Sequence, residues 1–314
     1  MPAAREDWVE VPFRVLKEHA GLRLDAFLVE RLRKHSRAGV QKMIADGRVS
    51  VGGRGAKASR RIVEGQTALI RYPRAAEPPP PHEAMPILHQ DDSVVVIDKP
   101  AGTLSHPTDK ILRNTVTAIL SRQFGRRVFL AHRLDRETSG ALVLALDADA
   151  ARSLHGQFLG RTVRKEYLAV VFGAVRWKKK TLDAPLGPEG GEIRARQAVG
   201  EGRPAVTKFA RLATDGKISL VSGKPKTGRL HQIRAHLAHL GHPVVGDKLY
   251  AGAGEAYLKA VRRELGREDR AALGAERQLL HAWRISFAHP RTGERLRVEA
   301  PVPADFPLRP EAAR

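Results

Sequence analysis

A run of four prolines, in Glu77 to Pro81, limits how this 314-residue chain can fold more than any other stretch. Proline has a fixed φ and no amide proton. Such a run therefore continues neither a helix nor a central strand, and acts as a semi-rigid spacer. Two blocks are expected, residues 1–76 and 85–314, joined by a proline-rich linker over 77–84. The length agrees with two domains.

In the first block Leu24, Phe27, Leu28 and Leu32 recur at helical spacing. Ser36 is placed to cap a second helix that turns Val40, Met43 and Ile44 to one side. Asp46-Gly47 then turns into a short strand, RVSV, and TALIRY makes another. Residues 1–74 carry 16 Lys and Arg against 8 Asp and Glu. Arg31, Arg33 and Lys34 belong to the first helix region, and Arg37 and Lys42 to the second.

The second block mixes strands and helices without regular alternation. SVVVID, ALVLAL, EYLAVVFG and KISLVS have strand length, while 149–159 and 229–240 have helical spacing. In the latter, Leu230, Ile233, Leu237 and Leu240 are expected to form one apolar face. No glycine-rich nucleotide loop follows any strand. The reading is an α+β fold with a mixed, largely antiparallel sheet, preceded by a small α/β domain.

The net charge of +21 calls for a polyanionic partner, since neutralising phosphates releases condensed counterions. Cysteine is absent, which excludes disulfides, Cys-ligated zinc and thiol nucleophiles. The N-terminus lacks an apolar core of the secretory kind, and no apolar run approaches the roughly 20 residues of a membrane span. A soluble, cytoplasmic, monomeric protein is expected.

Three polar segments stand beside these apolar runs. AHRLDRETSG (131–140) puts Asp135 between Arg133 and Arg136 at the mouth of a buried strand. Burial would protonate such a carboxyl, and a neighbouring guanidinium would keep it ionised. Catalysis and a structural ion pair both fit. TGRLHQIRAH (227–236) opens a helix with Arg229, His231, Gln232, Arg234 and His236. A helix start is a natural anion site, and a plain capped helix is the alternative. No acid lies at metalloprotease spacing from these histidines, so no metal is expected. DKPAG (98–102) makes a rigid turn that aims Lys99 at a phosphate or an acid, or else simply turns the chain.

In this order, KPAG, HRLDRETSG and GRLHQIRAHLAHLGHPVVGDKLY resemble the RluA family of pseudouridine synthases. The likeness runs from Met85 to about Asp305 and takes in RKEYLAVVFG, GRPAVTKF and LHAWRISFAHPRTGE. The segment from about Gly21 to Tyr72 resembles the S4 RNA-binding domain. The resemblance implies the pseudouridine synthase fold and an RNA-modifying isomerase that needs no cofactor. It makes Asp135 the essential aspartate, Arg229 the basic residue paired with it, and Tyr167 the tyrosine on the flipped uracil. It gives Arg133 to the gap that the flipped base leaves. His132, Arg136, Thr138, His231, Gln232, Arg234 and Lys99 become candidate RNA contacts. So do Arg31, Arg33, Lys34, Arg37 and Lys42, whose helices would lie on an RNA backbone.

Ribosomal RNA of the large subunit is the favoured substrate, with transfer RNA as the alternative. A catalytically silent S4-type assembly factor is the other class to weigh. An altered aspartate in HRLD or arginine in GRLHQIR would have supported it, and both are present. Two features depart from the family pattern: Leu104-Ser105 stands where a hydrophobic pair is usual, and residues 251–278 form a long, charged insertion expected as one or two surface helices.

Overall fold

The computed structural model describes residues 8–32, 35–73, 82–108 and 111–310. The proline run lies outside the described residues, as do Arg33 and Lys34. The chain divides into two compact units, 1–76 and 77–314.

In the first unit the helices Leu24–Arg31 and Arg37–Ala45 cover a four-stranded sheet. Ser36 caps the second helix as expected, its Oγ accepting from the Gly39 amide at 3.2 Å. Leu24, Phe27, Leu28, Val40 and Ile70 are fully buried between helices and sheet, each worth about 1.5–3 kcal/mol. The strand Trp8–Arg14, which the sequence reading did not mark, pairs antiparallel with Thr67–Pro73. Asp25 is also buried, and accepts from Arg23, Arg37 and Gln41. Arg37 is therefore partly committed inside its own unit. Arg31 likewise meets His19 at 2.7 Å, and Lys42 pairs with Asp46. These three basic side chains remain largely at the surface.

The second unit is built on a ten-stranded sheet, mixed and mostly antiparallel, as expected from the sequence. From one edge eight of its strands run Lys179–Asp183, Val206–Thr214, Ile218–Pro225, Arg164–Phe172, Leu280–Ala288, Ser139–Ala145, Val94–Lys99 and Ile87–Gln90; Arg295–Glu299 pairs with Leu280–Ala288, and Phe129–Leu130 with Ser139–Ala145. Among the described residues one strand pair of this sheet is parallel, a short seam in which His281 faces Ser139 and Ala282 faces Gly140. On its other side Ala282 pairs with Tyr167, and the register shifts at Trp283. The strand that follows HRLDRE and the strand that carries Tyr167 are thus held one residue either side of Ala282. Gly140 has φ +106, and a Cβ there would run into the Ala282 carbonyl. Only glycine permits the seam.

The helix Ala148–Leu159 packs on the Ser139–Ala145 side of the sheet through Ala150 and Leu154. The helix Gln232–His239 packs on the other half through Ile233 and Leu237. It starts later than expected, because His231 takes a left-handed conformation with φ 53. Leu230 therefore lies before the helix and is 45% exposed, outside the apolar face predicted for it. The charged insertion forms two helices, Glu255–Arg262 and Arg267–Leu273. No helix among the described residues is long and apolar enough to cross a membrane.

Candidate active site

Two of the three motif segments, AHRLDRETSG and TGRLHQIRAH, line one cavity of about 710 Å³. Asp135 lies in it, on the turn before the seam strand. Asp135 is the sole acid among the lining residues; Arg133, Arg161, Lys165, Arg203, Lys226, Arg229 and Arg234 also face the cavity.

The guanidinium on Asp135 belongs to Arg234, whose Nη1 donates to Oδ2 at 2.8 Å. This corrects the expectation for Arg229. Arg229 precedes the left-handed turn at His231, and its Nε donates to the Pro204 carbonyl at the cavity rim. Arg234 follows that turn, on the buried side of the helix. The predicted arginine–aspartate pair exists, with the second arginine of GRLHQIR as its donor.

Arg234 is itself held from behind. Its Nε and Nη2 donate to the two oxygens of Asp247 at 2.6 and 2.8 Å, a two-pronged fit that fixes the guanidinium plane. Asp247 Oδ1 also accepts from the amides of Leu249 and Tyr250. The Tyr250 ring lies 5.1 Å from the Arg234 guanidinium carbon, and its hydroxyl meets His231 Nδ1 at 3.3 Å. Burial pushes the Asp135 carboxyl up, but Arg234, with His231 and Gln278 adding to it, brings it below the ordinary carboxylate range. Burial and the Arg234 charge press His231 down to about 4, against the pull of Asp135 at 4.0 Å, so this imidazole is neutral near pH 7. Burial and the Asp135 charge raise the Tyr167 phenol, which stays protonated.

Several candidate RNA contacts prove to be scaffold. Lys99 is fully buried, and its ammonium donates to the carbonyls of Pro100, Thr103 and Arg136 at 2.9, 2.8 and 3.1 Å. Burial lowers it to about 7, opposed by Asp135. The three carbonyls use all three ammonium protons, so it ties the DKPAG turn to the Asp135 loop and reaches no RNA. Arg136 closes the same junction by donating to the Gly102 carbonyl at 3.0 Å. Thr138 is buried and accepts from Gln278 at 2.6 Å. Gln232 is buried and bonds Thr227, Val206 and Thr207. His132 accepts from the Val143 amide and stacks on Phe158 at 4.7 Å; burial takes it to about 3, so it too is neutral. Arg133 is exposed at the cavity, with no hydrogen-bond or ion-pair partner among the described residues.

Ser105, the departure from the usual hydrophobic pair, acts on the same loop. Its buried Oγ donates to the Leu134 carbonyl at 2.9 Å and accepts from the Leu134 amide at 3.2 Å. Asp247, Gln278 and Ser105 were all missed as site residues. For Asp247 a signal existed, since a buried arginine between apolar residues requires a counter-charge, and GDKLY offers the next acid along the chain.

Residues 93–239 match the RNA pseudouridylate synthase family, and residues 22–67 match the S4 domain. A Bacillus subtilis protein named as an uncharacterized RNA pseudouridine synthase, YlyB, is 31% identical over 95% of this chain and 96% of its own. The chain belongs to the RluA family of RNA pseudouridine synthases. The ribosomal large subunit pseudouridine synthase D of Xanthomonas campestris is 36% identical to this synthase over 94% of it and 91% of the relative. Among solved structures, human RNA pseudouridylate synthase domain containing 1 is 30% identical and superposes with a TM-score of 0.56. That likeness covers 72% of the synthase and 86% of the human chain. The synthase is thus an RNA isomerase with an S4 domain at its N-terminal side.

Proposed function

We propose that Asp135 is the catalytic carboxylate, that the target uridine is flipped out of its stack into the cavity, and that the substrate is large-subunit ribosomal RNA. The observation that carries this reading is a lone ionised carboxylate in a basic cavity, locked by Arg234 and beside an aromatic ring.

The isomerisation detaches uracil from C1′, turns it and rejoins it through C5. In the route we favour, Asp135 takes the C2′ proton while the N1–C1′ bond breaks and uracil leaves as an anion. C5 then bonds C1′ as the proton returns to C2′. Loss of the C5 proton and protonation of N1 complete a reaction that gains and loses nothing. A carboxylate held ionised by Arg234 is ready to act as base at neutral pH. Attack by the same carboxylate on the sugar or on the ring is the other chemistry open to it.

Extruding a stacked base costs a few kcal/mol, and stacking on an aromatic ring returns about 1–3 kcal/mol. Tyr167 is positioned for that task and, being neutral, brings no competing charge. Arg133 is free to enter the gap in the stack. The preference for ribosomal RNA rests on the S4 domain and on the ribosomal names carried by relatives that match nearly the whole chain.

The test is to incubate the purified protein and its Asp135→Asn variant with unmodified ribosomal and transfer RNA transcripts and map pseudouridine at single-nucleotide resolution. Discrete sites in large-subunit RNA, absent with the variant although it still binds, are expected. Sites in transfer RNA alone would move the substrate, and turnover by the variant would remove Asp135 from catalysis.

A further inference from the structure

Away from Asp135, the cavity rim gathers three arginines from distant parts of the sequence. Arg161 sits in the turn between the helix Ala148–Leu159 and the strand Arg164–Phe172. Arg203 precedes the strand Val206–Thr214, and Arg229 precedes the helix Gln232–His239. The one acid lining this cavity, Asp135, is already paired with Arg234. Among the described residues the Arg161 and Arg203 side chains have no hydrogen-bond or ion-pair partner, and Arg229 has only the Pro204 carbonyl. All three line the same cavity; burial first, and then the charges of Arg203 and Arg161, push the Arg229 guanidinium down. Like charges near one another without a counter-charge repel, and an anion that joins them is attracted by all three.

The backbone at Arg161 adds a second observation. The helix ends at Gly160, and Arg161 follows in the left-handed conformation, φ 58, its amide bonded to the Phe158 carbonyl. Glycine is the residue that adopts this position readily. This chain has its glycine one residue earlier, at φ −73, where a Cβ would come within 3.2 Å of the Gly156 carbonyl, and puts an arginine in the left-handed place. A left-handed arginine on the cavity rim supports a task for its side chain. Beside these arginines, Leu159 and Leu230 are 71% and 45% exposed on the same rim, an apolar ledge on which sugar or base can rest.

We propose that Arg161, Arg203 and Arg229 form a receptor for a single internucleotide phosphate of the RNA strand that enters the cavity, within the nucleotides flanking the target uridine. This rests on the cavity being the site of isomerisation. Three guanidinium groups from three segments can surround one tetrahedral anion, and fixing that phosphate sets the depth to which the flipped nucleotide descends towards Asp135.

The test uses the full chain and a set of target RNAs with one neutral methylphosphonate linkage each, scanned across the flanking positions. Single-turnover rates are measured with the wild type, and affinities with the Asp135→Asn protein, so that binding is read without turnover. One linkage is expected to stand out, with a loss of about tenfold or more, the size of a charge-assisted contact. Arg161→Gln and Arg203→Gln should cost a similar factor on all-phosphate RNA and add little at that linkage. Arg161→Gly should raise Tm by about 2–4 °C, as relief of a strained residue would, while lowering kcat/KM; a merely structural arginine would move both the same way. Equal losses at every linkage, multiplicative losses in the variants, or a lowered Tm in Arg161→Gly would overturn the proposal. Turnover by Asp135→Asn would instead sink the catalytic reading and leave the affinity scan to decide this one.

Discussion

At the residue scale the site is a relay of charges, Asp247 to Arg234 to Asp135, in which the middle member is orientated by the first and delivered to the last. Asp247→Asn keeps the side-chain shape but weakens the grip on Nε and Nη2. Arg234 then loses a fixed plane while keeping its charge. We expect kcat to fall about tenfold to a hundredfold, in line with one charged hydrogen bond of 1.5–3 kcal/mol. RNA affinity should change little, and single-turnover kinetics with a parallel binding titration measures both. An unchanged kcat would show that the Arg234–Asp135 contact needs no support from behind. Asp135, Tyr167 and Arg133, singled out in the sequence, all line the cavity. Choosing between Arg229 and Arg234 could not be done from the sequence, because the choice turns on one left-handed residue, His231, whose φ no spacing rule reveals. Lys99 misled for a related reason: a lysine in a turn looks exposed until the three carbonyls around it are seen.

At the element scale, the strands with unbroken apolar runs were legible, and those with interrupted patterns were not. SVVVID and ALVLAL appear as Val94–Lys99 and Ser139–Ala145, whereas Trp8–Arg14 escaped because Glu10 and Pro12 interrupt its apolar residues. The parallel seam was invisible for a deeper reason. It pairs residues about 140 positions apart, and no local pattern announces such a partner. Its glycine is testable. Gly140→Ala puts a methyl group against the Ala282 backbone, which has no flexible end to yield. A loss of about 2–4 kcal/mol is expected, the range for strain and overpacking at a special backbone site, read by chemical denaturation. Because the displaced strand carries the Asp135 loop, kcat should fall as well. A variant of wild-type stability would mean that the seam opens at no cost.

At the scale of the whole molecule, the histidines of the second unit set a dependence on pH. Burial lowers His132 to about 3, and His231 and His281 to about 4, from an ordinary value near 6.5. Between those limits the unfolded chain binds more protons than the folded one. Stability is therefore complete above about pH 6.5 and is lost as pH falls towards 4. A decline of a few kcal/mol across that window is expected by calorimetry, ahead of any loss from the paired carboxylates, whose folded values lie lower still. Replacing buried His281 by Gln should flatten part of it. A Tm constant from pH 7 to 4.5 would mean these imidazoles are charged in the fold.

The Asp135 loop is gripped by residues made long after it. Thr138 receives its bond from Gln278, Glu137 is held by Lys248 and by the Gln278 amide, and the seam needs Ala282. During synthesis the HRLD loop leaves the ribosome before these partners, so the Asp135 carboxylate of an unfinished chain is still unframed. The loop has its full set of partners only once the strand Leu280–Ala288 has joined the sheet.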